Sequence, residues 1–269
     1  MMSVRKPLIA GNWKMHHGGT SGVELAGAMV KIARDTPHVD VVIAPPFTVL
    51  AACAHEVDGS NVSIAAQNFH AKDSGAFTGE ISAPMLKDSG CRWVIVGHSE
   101  RRQLFGETDD SVAHKTAAAL DAGIVPIVCV GETLAERESG KTLSIVTHQV
   151  HAFLGAIGAH ATPVAIAYEP VWAIGTGKTA GPAEAEEVHE HIRRLLVDAK
   201  TGTHPGLAAR TRILYGGSVK ADNAAALLAC PNVDGALVGG ASLDAGSFGA
   251  IARAAEALAA KSASSIAKA

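Results

Sequence analysis

Aromatic residues are scarce in this chain, at 4% of 269 residues, and charged residues make up only 18%. Lys and Arg number 23 against 26 Asp and Glu, which leaves a net charge of -3. Without a basic excess to neutralise phosphates along a duplex, no nucleic-acid partner is expected. No run approaches 18 consecutive apolar residues, so no membrane partner is expected either. The stretch Met1 to Pro7 is short and polar and lacks the apolar run of a secretion signal. The four cysteines, Cys53, Cys91, Cys129 and Cys230, form no CxxC pair. Their wide spacing reads as reduced thiols in a cytoplasmic protein, not as a disulfide framework. The sequon Asn61-Val62-Ser63 has no meaning without secretion.

What is abundant is small and apolar. Hydrophobic residues make up 48%, and glycine alone numbers 28. At about 150 residues per domain the length suggests nearly two domains, yet α/β barrels of about 200–250 residues form one. The order of elements decides between these. Nearly continuous apolar runs lie near Leu8–Asn12, Val39–Ala44, Val62–Gln67, Arg92–Gly97, Val125–Val130, Val164–Tyr168, Arg212–Tyr215 and Ala236–Gly239. Such runs suit parallel strands buried on both faces.

Helical sequence fills the gaps. Ser21 and Glu24 match a capping box ahead of Leu25, Met29, Ile32 and Ala33. Thr108-Asp109-Asp110 opens a helix that Gly123 can close, and Pro182 suits a first helical position. A last Ala-rich helix is expected from Asp244 to Ala260, followed by a flexible tail over residues 261–269. Eight strand–helix units predict a single-domain (β/α)8 barrel over residues 1–269, with an open doubly wound sheet as the alternative.

Three apparent motifs fail on inspection. Gly177-Lys178-Thr179 ends like a phosphate-binding P-loop, but Trp172 stands where its first Gly belongs. Gly97-His98-Ser99-Glu100 resembles a nucleophile elbow, but Arg101 replaces the final Gly. His189 and His191 are two apart on a helix and point to different faces, so they cannot chelate zinc together. No cluster has metal-ligand spacing and no dinucleotide fingerprint occurs, so neither metal nor cofactor is expected.

Polar and glycine residues collect at the strand ends: Asn12 and Lys14, Gln67 and Asn68, His98, Glu132, Glu169, Gly216-Gly217-Ser218, and Gly239-Gly240. A barrel puts these ends on one rim, where active sites form. Two Gly-rich turns after the last strands can bring backbone N–H groups to a phosphate. A Glu, a His and a Lys on that rim can move a proton beside a carbonyl and stabilise the charge that develops.

Five segments carry a closer resemblance: Gly11–Met15, Val96–Arg102, Ala167–Thr179, Tyr215–Val219 and Asp234–Ala241. In order and spacing they resemble the successive motifs of the triosephosphate isomerase family, from about Lys6 to Ala260. The resemblance implies a TIM barrel that interconverts dihydroxyacetone phosphate and D-glyceraldehyde 3-phosphate through an enediolate. It implies Glu169 as the base, His98 as a neutral imidazole at the carbonyl, Lys14 as fixed charge and Asn12 as the source of a hydrogen bond. Phosphate binding falls by the same resemblance to Asn12, Lys14, Gly175, Ser218, Gly239 and Gly240. Glu100 is matched without a firm role, and Cys129 is matched as a packing residue. The lid it implies comprises Pro170, Val171, Trp172, Ala173, Ile174, Gly175, Thr176, Gly177, Lys178, Thr179 and Ala180. Tyr215 and Ser218 would hold it closed, with Ile174 and Leu237 covering Glu169.

The resemblance also implies a homodimer, with Met15, Thr78, Gly79 and Glu80 at its interface and Thr78 supporting the partner's site. His16 and His17 depart from the family pattern and would make association pH-sensitive. The small-molecule partner is a phosphosugar. The competing readings are an isomerase for a four-carbon keto-phosphate, a Schiff-base aldolase and a catalytically silent binding protein. Glu169 on the sixth strand argues against the aldolase, which commonly carries its lysine there. The intact Asn12, Lys14, His98 and Glu169 argue against the silent protein.

Overall fold

The computed structural model describes residues 5–173, 180–198 and 206–266. Eight parallel strands follow one another around a closed ring. They are β1 (Leu8–Asn12), β2 (Asp40–Ala44), β3 (Val62–Ala66), β4 (Trp93–Val96), β5 (Val125–Val130), β6 (Ala165–Tyr168), β7 (Arg212–Tyr215) and β8 (Gly235–Val238). β8 closes on β1, with Leu8 opposite Gly235 and Gly11 opposite Val238. Closure excludes the open doubly wound sheet.

Alternation along each strand separates two apolar clusters. Leu8, Ala10, Val42, Ile95, Ala167 and Leu237 belong to the one inside the barrel. Ile9, Val41, Ile43, Ile64, Val94 and Ile213 belong to the larger one beneath the helices. Small residues permit the close approach. A Cβ on Gly235, whose φ is 150°, would lie 1.9 Å from the Leu8 carbonyl oxygen, so the last strand can close on the first only with glycine there.

The helices start largely where their chemistry directs. Thr108 caps the helix Asp109–Asp121 by accepting from Ser111 N, and Gly123 follows its end with φ 74°. Pro182 opens the helix Pro182–Asp198. The capping box at Ser21 is not formed. The chain enters the helix Thr20–Asp35 through Gly19 at φ 59°, which puts Ser21 inside the first turn, where its hydroxyl donates back to the Gly18 carbonyl. The last helix spans Ala245–Ile266 and so continues past its expected end at Ala260. Lys261 and the Ser and Ala residues after it contain no Gly or Pro to stop it.

The two ends of the barrel differ in character. At the N-terminal rim, Asp234 accepts from Arg5 Nε at 2.6 Å, from Ile213 N at 2.8 Å and from Arg193. There too Arg212 reaches Asp40 at 2.5 Å. The opposite rim carries the cleft. Among the described residues, no helix is long and apolar enough to cross a membrane.

Candidate active site

A cavity of about 570 Å³ opens at the C-terminal rim, lined by Asn12, Lys14, His98, Glu169, Ser218, Gly239 and Gly240 among others. Each comes from a strand end or the turn beyond it. Asn12 ends β1, and its Oδ1 accepts from Lys14 N at 3.1 Å. Lys14 has φ 52°, a left-handed backbone that costs about 1–3 kcal/mol in a non-glycine residue. Gln67 holds that turn, since its Nε2 donates to both the Lys14 and Ala44 carbonyls at 2.8 Å. The Lys14 ammonium reaches Glu100 Oε1 at 2.5 Å.

His98 follows β4 and caps the helix Ser99–Phe105. Its Nδ1 accepts from the Glu100 amide at 3.2 Å, which leaves the proton of the neutral ring on Nε2. Nε2 lies 3.0 Å from Glu169 Oε1. The second Glu169 oxygen accepts from Ser99 N at 2.8 Å. Both groups are buried, so electrostatics between them are strong. Burial alone lowers the proton affinity of His98, but Glu169 outweighs it and raises it above the ordinary value. Burial alone raises that of Glu169, but His98, the Ser99 amide and Lys14 hold its carboxyl below the usual range. The N-terminus of the helix Ser99–Phe105 opposes imidazolium, while the resting contact with Glu169 favours it.

Other rim residues take different partners. Asn68 Oδ1 accepts from Lys115 at 2.7 Å. Glu132 is fully buried, taking the Tyr168 hydroxyl at 3.2 Å and Trp172 Nε1 at 2.9 Å. Leu237 lines the cavity and Tyr215 is buried. Burial first, then Glu169, pushes the Cys129 thiol well up, which suits a packing residue. Ile174, Gly175, Thr176, Gly177, Lys178 and Thr179 lie outside the described residues. Met15, Thr78, Gly79 and Glu80 are exposed and stand apart from the cavity lining. His17 Nε2 meets the Leu243 carbonyl at 3.1 Å, while His16 joins the cavity lining. Among the described residues, no group of His, Cys, Asp and Glu could hold a metal ion.

Sequence reasoning missed Gln149, which binds the backbone just beyond β5. A signal existed: it is the polar member of the otherwise apolar stripe Val146, Val150, Phe153 and Ile157.

A closed (β/α)8 barrel that turns a carboxylate, an imidazole and an ammonium into one cleft beside two glycine turns is the framework of an acid–base isomerase. Comparison with known proteins makes that class particular. The family model described as Triosephosphate isomerase matches residues 7–255. A triosephosphate isomerase of Moorella thermoacetica is 53% identical over 249 residues, covering 92% of this chain and 98% of that protein. One from Alcanivorax borkumensis is 53% identical over 253 residues, covering 94% and 99%. One from Rhodopirellula baltica is 52% identical over 252 residues, covering 93% and 98%. The chain belongs to the triosephosphate isomerase family.

Proposed function

We propose that the chain interconverts dihydroxyacetone phosphate and D-glyceraldehyde 3-phosphate through an enediolate. The observation that carries this reading is the convergence of Glu169, His98, Lys14 and Asn12 on one cavity. Glu169 is the base that moves a proton between the two substrate carbons. To do so it leaves His98 and Ser99, which occupy both its oxygens at rest. That departure removes the main cause raising the proton affinity of His98. The imidazole, with its Nδ1 facing the Glu100 amide, then polarises the substrate carbonyl as a neutral donor from Nε2.

Lys14 stabilises the enediolate and the phosphate, and Asn12 supplies a hydrogen bond. Ser218, Gly239 and Gly240 bind the phosphate, joined by Gly175 when the lid of residues 170–180 closes. A small dianion needs a few aimed N–H groups and one ammonium, which fits a chain of net charge -3. Closure excludes water, strengthening each of these interactions and protecting the intermediate. The names of the relatives support a three-carbon substrate over a four-carbon keto-phosphate.

The enzyme acts as a cytoplasmic homodimer in this reading. Free thiols at all four cysteines support the compartment. The exposed loop bearing Thr78, Gly79 and Glu80, with Met15 at 94% exposure and Phe77 at 43%, supports a second copy as its partner.

Turnover of glyceraldehyde 3-phosphate beside a four-carbon phosphosugar tests the reading. Wild type should prefer the three-carbon substrate, and Glu169→Gln should lose about 10²–10⁴-fold in kcat, the range expected of a general base. Preference for the four-carbon substrate, or an active Glu169→Gln variant, refutes it.

A further inference from the structure

We propose that Gln149 is a positioning residue for Glu169, acting through the backbone of Gly131. The inference rests on Glu169 being the base of the proposed reaction. Gly131 lies just beyond β5, between two residues that bind the segment carrying Glu169. Val130 O accepts from Glu169 N at 2.7 Å, and Glu132 O accepts from Val171 N at 3.1 Å. Alternation turns the N–H and C=O of Gly131 the other way, toward β4. But β4 ends at Val96, and Gly97, at φ 72°, diverts the chain into His98 and the helix after it. Among the described residues, no strand remains to pair with Gly131.

The side chain of Gln149 takes that strand's place. Gly131 N donates to Gln149 Oε1 at 2.7 Å, and Gln149 Nε2 donates to Gly131 O at 3.1 Å. One step earlier Arg102 does a similar service for the Cys129 carbonyl, at 3.2 Å. The gap left by β4 is otherwise open: a cavity of about 210 Å³ sits there, lined in part by Gly97, Ser99, Gly131, Gln149 and Glu169. Gly131 also touches the base's own backbone, since a Cβ on it would lie 1.8 Å from the Glu169 carbonyl oxygen. A shift of Gly131 toward β6 therefore presses on Glu169, and a shift away meets empty space. The amide of Gln149 fixes the position between them.

Gln149→Leu removes both bonds at similar volume. Its kcat should fall about 10- to 100-fold, while KM stays within about twofold, since small displacements of a reacting group act on the chemical step. In the resting enzyme the His98 titration, followed by NMR, should move down as Glu169 leaves its place 3.0 Å from Nε2. Gln149→Glu supplies the second test. An ionised carboxylate can accept from Gly131 N but cannot donate to Gly131 O, whereas a protonated carboxyl can do both. Its kcat relative to wild type should therefore recover as pH falls. An unchanged kcat and His98 titration in Gln149→Leu, kcat and KM moving together, or a pH-independent ratio for Gln149→Glu overturns the proposal. If wild type turns over no triose phosphate, the functional reading fails instead, and the His98 titration still decides the clamp.

Discussion

At the scale of single residues, burial sets the chemistry of the histidines. His189 is fully buried, with Tyr168 and Tyr215 ring centroids 5.9 and 6.4 Å away and its Nδ1 3.3 Å from the Asn232 carbonyl. Burial, aided by Arg193, lowers its pKa to about 3. The unfolded chain binds this proton below about pH 6.5 and the folded chain does not, so stability is full above that pH and falls toward pH 3. The loss attributable to His189 is about 2 kcal/mol at pH 5. Urea unfolding at pH 7 and pH 5 checks this: His189→Gln should lose less stability between the two than wild type, and an equal loss would count against it. His98 is buried too, yet Glu169 pulls it the opposite way. Polar identity at a strand end made Asn12, Lys14, His98 and Glu169 legible in the sequence. Gln149 was not legible, because its partner is a backbone unit and any residue supplies a backbone. The φ of Lys14 was hidden for a similar reason: a lysine gives no hint that its backbone is left-handed.

At the scale of elements, the apolar runs placed every strand to within a residue or two, because strands buried on both faces leave little room for polar residues. Caps were less dependable. Thr108 works because its helix starts at the next residue, whereas Ser21 is displaced by a glycine that turns the chain earlier. Ion pairs between elements were not legible, since they join distant positions. Asp234 shows what such pairs do. It ties the start of β8 to Arg5 ahead of β1 and to Arg193 on the helix Pro182–Asp198. Its side chain is 6% exposed and that of Arg193 is 11% exposed, so removing the carboxylate leaves a buried cation with backbone carbonyls but without its carboxylate partner. Asp234→Ala should lose about 3–5 kcal/mol in urea unfolding, as for other broken buried pairs. With the cleft at the opposite rim, kcat at a temperature where the variant stays folded should remain near wild type. A large fall in kcat would show that the two rims are coupled.

At the scale of the whole molecule, pattern alone left the closed barrel and the open sheet both standing. What decides is the approach of β8 to β1 across Gly235, a contact between distant parts of the chain. The proposed dimer adds a prediction at this scale. Histidine gains charge between about pH 8 and 5. His17 is engaged at Leu243 and His16 lines the cleft, both on the loop expected at the dimer interface, so association should be pH-sensitive. Sedimentation across that range measures it. An unchanged dissociation constant, or the same change after His16→Asn and His17→Asn together, rules the device out. Ring closure has a further consequence for how such a partner can be met. Each of the eight strands already has two neighbours, so the barrel offers no row of free amides and carbonyls to another chain. Strand-to-strand adhesion is closed to the native barrel. Assembly must be written in loops and side chains, which can drift through evolution while the hydrogen-bonded ring stays as it is.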